Sequence, residues 1–368
     1  MKKIKRNIIL TPAPATTTDT VKYAQVVPDI CPREKEFGAV MEGIRKDLLK
    51  VVHGDKKYTS ILFTGSGTSV MDATINSVIP KNGKLLILEN GAYGTRIEEI
   101  AKSYGINTIS IKTEWGTSIR IDAIEYCFRY YPDITAVAVI HHETTTGILN
   151  DIETIGKIVK EHKKIYIVDT ISSFGGIPID IQKVQADFIM GSANKCLQGM
   201  PGISFVIAKK MALMKTRNYP IRSYYLNLWR NYKHFDKHNQ TPFTPAVQCL
   251  YSLKQALKEY FKEGGINRYK RYCRNSMELE YGMIQLGFRP LLFIDEEKSM
   301  IVSTFYEPKK FDFNKFHDKL KEKGFTIYPG KLTNEKTFRL GNIGNITEKD
   351  IRKFLKAVKK VKNDCFIS

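Results

Sequence analysis

Between about residues 58 and 208 the chain alternates short β-branched apolar runs with stretches whose apolar residues recur at helical spacing. No other feature restricts the fold as much, because this alternation builds a mainly parallel sheet covered by helices on both faces. The predicted strands are Thr59 to Phe63, Lys84 to Leu88, Asn107 to Ile111, Ala136 to Ile140, Lys164 to Val168, Phe188 to Gly191 and Ser204 to Ala208. Their Val- and Ile-rich runs fit strands buried on both faces. Helices are predicted to begin at Ser69, Gly94, Ile121 and Ile152. Beyond the sheet, Tyr219 to Gln240 has no clear period and reads as a long excursion over the surface or across a subunit boundary. A helix from Ala246 to Lys262, broken at Gly264-Gly265, leads to a last section of helix, strand and helix ending near Lys362. The expected fold class is α/β: a large domain with a seven-stranded, mainly parallel sheet over residues 16–262, and a smaller α/β domain formed by residues 1–15 and 263–368.

At 368 residues and 42% hydrophobic, the chain can bury one large and one smaller core. Its formal net charge of +20 raises the question of nucleic acid. The lysines are scattered over helical stretches such as Lys254 to Lys262 and Lys353 to Lys362, without an aromatic-basic platform or helix-turn-helix pattern. A solvated surface is the simpler account, and its positive field would concentrate an anionic substrate. No nucleic-acid partner is expected. The basic N-terminus runs at once into Thr11-Pro-Ala-Pro14, too early for a signal peptide, and no run reaches the roughly 20 apolar residues of a membrane span. Cys31, Cys127, Cys196, Cys249, Cys273 and Cys365 have neither metal-type pairing nor disulfide-rich density. A cytoplasmic protein without a bound metal is expected.

Five motifs fall at the carboxyl ends of predicted strands. Gly65-Ser66-Gly67-Thr68 opens a helix, where amides and dipole suit a phosphate, although such a turn is often only a tight connection. It lacks the third glycine of a dinucleotide fingerprint and the Gly-Lys-Ser/Thr ending of a P-loop. Tyr93, in Asn90-Gly-Ala-Tyr-Gly94, would stack on a flat heterocycle or simply pack. His142-Glu-Thr-Thr-Thr-Gly147 brings hydroxyls to the same edge, or bonds its own backbone. Asp169 ends the run Ile165-Tyr-Ile-Val and lies where open α/β sheets bind ligands, or caps a helix after it. Lys195, in Ser192-Ala-Asn-Lys195, taken alone is a surface lysine. Taken together, a lysine able to form a Schiff base and a carboxylate able to keep a pyridine nitrogen protonated point to pyridoxal 5′-phosphate.

With Ser172-Ser-Phe-Gly-Gly176 and Phe338-Arg339-Leu-Gly-Asn-Ile-Gly344, these residues resemble, in collinear order from Leu10 to about residue 360, the class V, fold-type I pyridoxal-phosphate-dependent aminotransferases. The Ser-Ala-Asn-Lys and Arg-Leu-Gly-Asn-Ile-Gly stretches are most similar to the branch acting on 2-aminoethylphosphonate. The resemblance implies that Lys195 bonds to the cofactor and moves the substrate proton, and that Asp169 pairs with the pyridinium. It further implies that Tyr93 stacks on the ring, Thr144 bonds the phenolic oxygen, and Ser66, Gly67 and Thr68 hold the phosphate, with Ser192 also in the cofactor site. Arg339 would grip the acid group of small anionic amino and oxo substrates. Thr244 matches a position reaching the phosphate from a partner subunit, which implies a homodimer with shared sites.

Reversible transamination of 2-aminoethylphosphonate and phosphonoacetaldehyde, paired with pyruvate and alanine, is the activity expected. Ala13 stands where the family usually has glycine, and Asp29 to Glu34 departs from the degradative members, which inclines the reading towards synthesis. The alternative is an alanine or serine transaminase acting on glyoxylate or pyruvate, with the same cofactor residues. A cysteine desulfurase fits less well, since neither Cys249 nor Cys365 lies in a convincing loop motif. Arg33, Arg217, Arg222 and Arg230 are further candidates for binding phosphonate.

Overall fold

The central sheet runs Tyr58–Thr64, Ile203–Lys209, Phe188–Ser192, Ile165–Asp169, Ile134–Ile140, Lys84–Glu89, Asn107–Lys112 in a computed structural model that describes residues 3–293, 297–330, 332 and 335–366. Ile203–Lys209 is antiparallel to both neighbours and the other pairs are parallel, so six strands point one way. Their carboxyl ends share one edge, and the reversed strand begins at that same edge. The seven predicted strands are these seven, each within two residues at either end. Near-continuous burial along Ile134–Ile140, Phe188–Ser192 and Ile203–Lys209 explains why apolar runs marked them so clearly. The helices predicted to begin at Ile121 and Ile152 begin there, and those predicted at Ser69 and Gly94 begin at Gly67 and Ala92.

A second sheet of four strands is ordered Ile8–Leu10, Phe325–Pro329, Thr337–Gly341, Val302–Tyr306. Ile8–Leu10 pairs in parallel with Phe325 to Ile327, so the N-terminal arm is an edge strand of this sheet. Helices Gly265–Gln285, Phe313–Glu322 and Glu348–Val361 accompany it. Phe338 lies at the centre of its core, its ring 5.4 Å from Phe288 and 5.7 Å from Phe305. The break at Gly264-Gly265 is real: Gly264, with φ of +83°, ends helix Val247–Glu263 before the next helix starts.

Two expectations need correction. Tyr219 to Gln240 is not wholly irregular, because Leu228–His238 within it is a helix. Its side chains are mostly aromatic and basic, and only Leu228, Asn231 and Phe235 turn inwards, so its apolar face was too narrow to read. Among its described residues the last section holds three strands rather than one, since Phe325–Pro329 and Thr337–Gly341 are short and lie close in sequence. The helix Lys35–Val51 was not anticipated either.

The helix Leu228–His238 starts at Asn227, whose side chain accepts the Arg230 amide at 2.8 Å. Replacing Asn227 with Ala is expected to destabilise the protein by about 1 kcal/mol in urea denaturation, the usual value of such a cap. An unchanged midpoint would show that packing alone holds the helix.

Candidate active site

All the motifs at the common strand edge converge. Ser66, Gly67, Thr68, Tyr93, Asn194 and Lys195 line one cavity of about 280 Å³, and Tyr93, Thr144, Asp169 and Lys195 line a smaller one beside it. Helix Gly67–Val78 begins at the first cavity with no side-chain cap at Ser66, so its leading amides are available to an anion. Arg96, one turn along from Tyr93, adds a cation: its guanidinium is 3.5 Å from the Thr68 hydroxyl and 4.7 Å from the Tyr93 ring centroid. The Lys195 ammonium is 5.6 Å from the same centroid.

Asp169 is 3% exposed, and one of its oxygens accepts the Ile171 amide at 2.7 Å. Burial pushes its carboxyl up to about 7, against the pull of the Ile171 amide and of Lys195 and with a push from Glu143. Thr144 is 1% exposed, and its hydroxyl has no hydrogen-bond partner among the described residues. Arg339, on the second sheet, is also buried; it donates to the Pro329 carbonyl at 3.1 Å and to the Thr144 carbonyl at 3.4 Å. Burial lowers its proton affinity, offset by attraction to Tyr93 and Glu143.

Ser192 is buried at the end of its strand, and its hydroxyl donates to Asn194 at 2.6 Å, so it orders the lysine loop from behind. Thr244 stands apart: it is exposed and lines a different cavity with Tyr225, Thr241 and Phe243. Of the further arginines, Arg222 is spent on the Asn76 and Ile79 carbonyls, and Arg33 on Thr241 and Pro242. Arg230 lies 3.8 Å over the Tyr224 ring, and Arg217 is exposed. None of the four lines the Lys195 cavities.

Two residues of the site were missed from sequence. Arg96 has a legible signal, three positions after Tyr93 on a predicted helix. His142 lines the smaller cavity and bridges the Ser172 hydroxyl at 3.1 Å and the Ser299 hydroxyl at 2.8 Å. Burial holds its imidazole well below its usual proton affinity, so it is neutral. Ser299 is remote in sequence, and nothing local announced that bridge. Among the described residues there is no cluster able to hold a metal and no helix long and apolar enough to cross a membrane.

The family model of class-V aminotransferases matches residues 17–351. The chain is a class-V aminotransferase. The 2-aminoethylphosphonate–pyruvate transaminase of Phocaeicola vulgatus is 41% identical over 358 residues, covering 96% of this chain and 98% of that protein. The enzyme of the same name from Bacillus cereus is 40% identical over 356 residues, covering 96% and 97%. In fold, this aminotransferase is similar to the alanine–glyoxylate aminotransferase of Nostoc sp. (TM-score 0.90, 23% identity, 98% and 96% covered). It is equally similar to the ureidoglycine–glyoxylate aminotransferase of Bacillus subtilis (TM-score 0.89, 23% identity, 100% and 96% covered).

Class-V aminotransferases depend on pyridoxal 5′-phosphate, and the site of this one fits that group. The unpartnered Thr144 hydroxyl calls for a polar ligand atom, and the buried Asp169 carboxylate calls for a cationic N–H. Without the cofactor, a carboxyl raised from 3.8 to about 7 makes the folded protein bind the extra proton between those values. Stability from this group is therefore greatest below about pH 4 and is lost as pH rises to about 7. The apo form of Asp169→Asn is expected to lose that slope and to be more stable than wild type at pH 8, while binding cofactor more weakly. Parallel slopes for the two apo proteins in pH-dependent denaturation would contradict this.

Proposed function

We propose that this aminotransferase interconverts 2-aminoethylphosphonate and phosphonoacetaldehyde, with pyruvate and alanine as acceptor and donor, in two half-reactions. Relatives of that name at 40–41% identity along almost the whole chain support the substrate. The single structural observation that carries it is Arg339, a buried guanidinium reaching the edge where Lys195 and Asp169 lie. Its planar fork suits a phosphonate or a carboxylate.

Bound pyridoxal 5′-phosphate supplies the carbonyl that receives the amino group and the electron sink for the deprotonated carbon. Lys195 removes and returns the proton on the carbon that bears nitrogen. Asp169 keeps a proton on the pyridine nitrogen, its own negative charge made costly by burial and relieved by that cation. Tyr93 would pack on the ring face, Thr144 would donate to the phenolic oxygen, and Ser66, Gly67, Thr68 and Arg96 would hold the phosphate. Residues 16–262 act as the cofactor-binding unit, and residues 1–15 with 263–368 bring Arg339 to it. Two chains share the sites, with the partner's Thr244 completing the phosphate cradle; exposed Ile221, Tyr224 and Thr244 support such a face. We place the enzyme in the cytoplasm, in keeping with its free cysteines.

Titrating 2-aminoethylphosphonate into the cofactor-loaded enzyme should abolish its visible absorbance band at far lower concentration than alanine or serine does. A response to alanine or serine alone would remove the phosphonate assignment and leave the cofactor chemistry standing. Lys195→Ala should lower turnover by about 10²–10⁴-fold or more while leaving the protein folded. Arg339→Lys should raise KM for the phosphonate about tenfold or more, through loss of the paired contact; an unchanged KM would assign recognition elsewhere.

A further inference from the structure

Glu143 is fully buried beside Tyr93 and Thr145, and no step of the proposed transamination uses it. One carboxylate oxygen accepts the Tyr93 amide at 3.1 Å. The other accepts the Thr145 amide at 3.0 Å and the Thr145 hydroxyl at 2.6 Å. The Gly94 amide is also a partner. Tyr93 and Gly94 belong to the first turn of helix Ala92–Ser103, whose own N-cap, Gly91, has no side chain to offer. Glu143 therefore caps that helix from another segment, its carboxyl at the positive end of the dipole; burial raises its pKa, and the hydrogen bonds from Thr145, Tyr93 and Gly94 oppose that rise.

The space is shaped for it. A Cβ on Gly91 would fall on the Cγ and Cδ of Glu143, with Oε2 at 2.8 Å, so any other residue there would displace the carboxylate. The same carboxylate ties down Thr145, the neighbour of Thr144. Across the turn, the Thr145 carbonyl accepts the Thr304 hydroxyl at 3.3 Å, and the Thr144 carbonyl accepts Arg339.

We propose that Glu143 is the positioning residue of the active site: one carboxylate sets Tyr93 against the cofactor face and Thr144 against its edge, and Gly91 is glycine to admit it. The proposal rests on the cofactor-binding roles proposed for Tyr93 and Thr144.

Glu143→Gln keeps the shape but opposes an NH₂ group to amide donors. It is expected to weaken cofactor binding about tenfold, the equivalent of one charge-assisted hydrogen bond. It should also alter the visible circular dichroism of the bound cofactor, which reports ring seating, while the apo-protein stays folded with a lowered melting temperature, as loss of a charged cap requires. Gly91→Ala, whose Cβ displaces the carboxylate, should likewise weaken cofactor binding and alter the dichroism. In the background of Tyr93→Ala, Glu143→Gln should cost much less than alone, because the ring it seats is already gone. Unchanged affinity and dichroism in Glu143→Gln, additive costs in the double variant, or global unfolding of both single apo variants would overturn the proposal. If Tyr93→Ala alone leaves cofactor affinity unchanged, the reading of Tyr93 falls, and the proposal with it; if Tyr93→Ala weakens binding and Glu143→Gln does not, only the proposal falls.

Discussion

Glu143, Asp169, Lys195 and Arg339 are each less than a tenth exposed; the first three lie at one edge of the central sheet, and Arg339 reaches that edge from the second sheet. Desolvating an ionised group costs several kcal/mol unless partners replace its water, so their burial holds only if the surrounding backbone is fixed. Each charge draws on a different segment. Glu143 takes amides from Tyr93 and Thr145, Asp169 takes Ile171, and Arg339 gives to Pro329 and Thr144. The second sheet is therefore bound to the first through the charges themselves, as well as by apolar contact.

The lysine loop is secured in the same manner. Arg268, 1% exposed, donates to the Cys196 carbonyl at 3.0 Å, immediately after Lys195, and pairs with Glu263 at 2.7 Å. Gln198 sits in the left-handed region at φ of +65°, a conformation that costs a non-glycine residue about 1 kcal/mol or more. Its side chain donates to the Tyr272 hydroxyl at 2.8 Å, and the same hydroxyl accepts the Gly344 amide at 3.1 Å. Gly344 lies just beyond the Arg339 strand, so the lysine and the arginine are referred to one buried tyrosine. That is a physical reason for the two to keep a set separation while substrates of different size come and go.

The central sheet was legible because its strands are buried on both faces and therefore read as unbroken apolar runs. Lys195, Asp169, Tyr93 and Thr144 were legible because each directly follows or ends such a strand, where an α/β sheet places its ligand groups. The second sheet was harder. Its strands are short, and Ile8–Leu10 finds its partner at Phe325 to Ile327, across most of the chain. Glu143 sits inside a legible motif, yet the sequence gives it no part there, since its partner Tyr93 is far away along the chain. The emptiness at Gly91 that admits it becomes visible only in three dimensions.

Two acid groups of different charge must be met at one site if the substrates are those proposed. A guanidinium carries five N–H donors. Arg339 spends two on the Pro329 and Thr144 carbonyls, and the Tyr93 hydroxyl is a further partner. The donors that remain suffice for paired oxygens of a phosphonate or of a carboxylate, so neither geometry is excluded by the arginine alone. Discrimination must then come from charge and from what seats the arginine. A net charge of +20 draws phosphonoacetaldehyde, whose phosphonate bears more negative charge than a carboxylate, more strongly than it draws pyruvate. Glu143, attracting Arg339 while remaining buried, tempers that pull at the site itself.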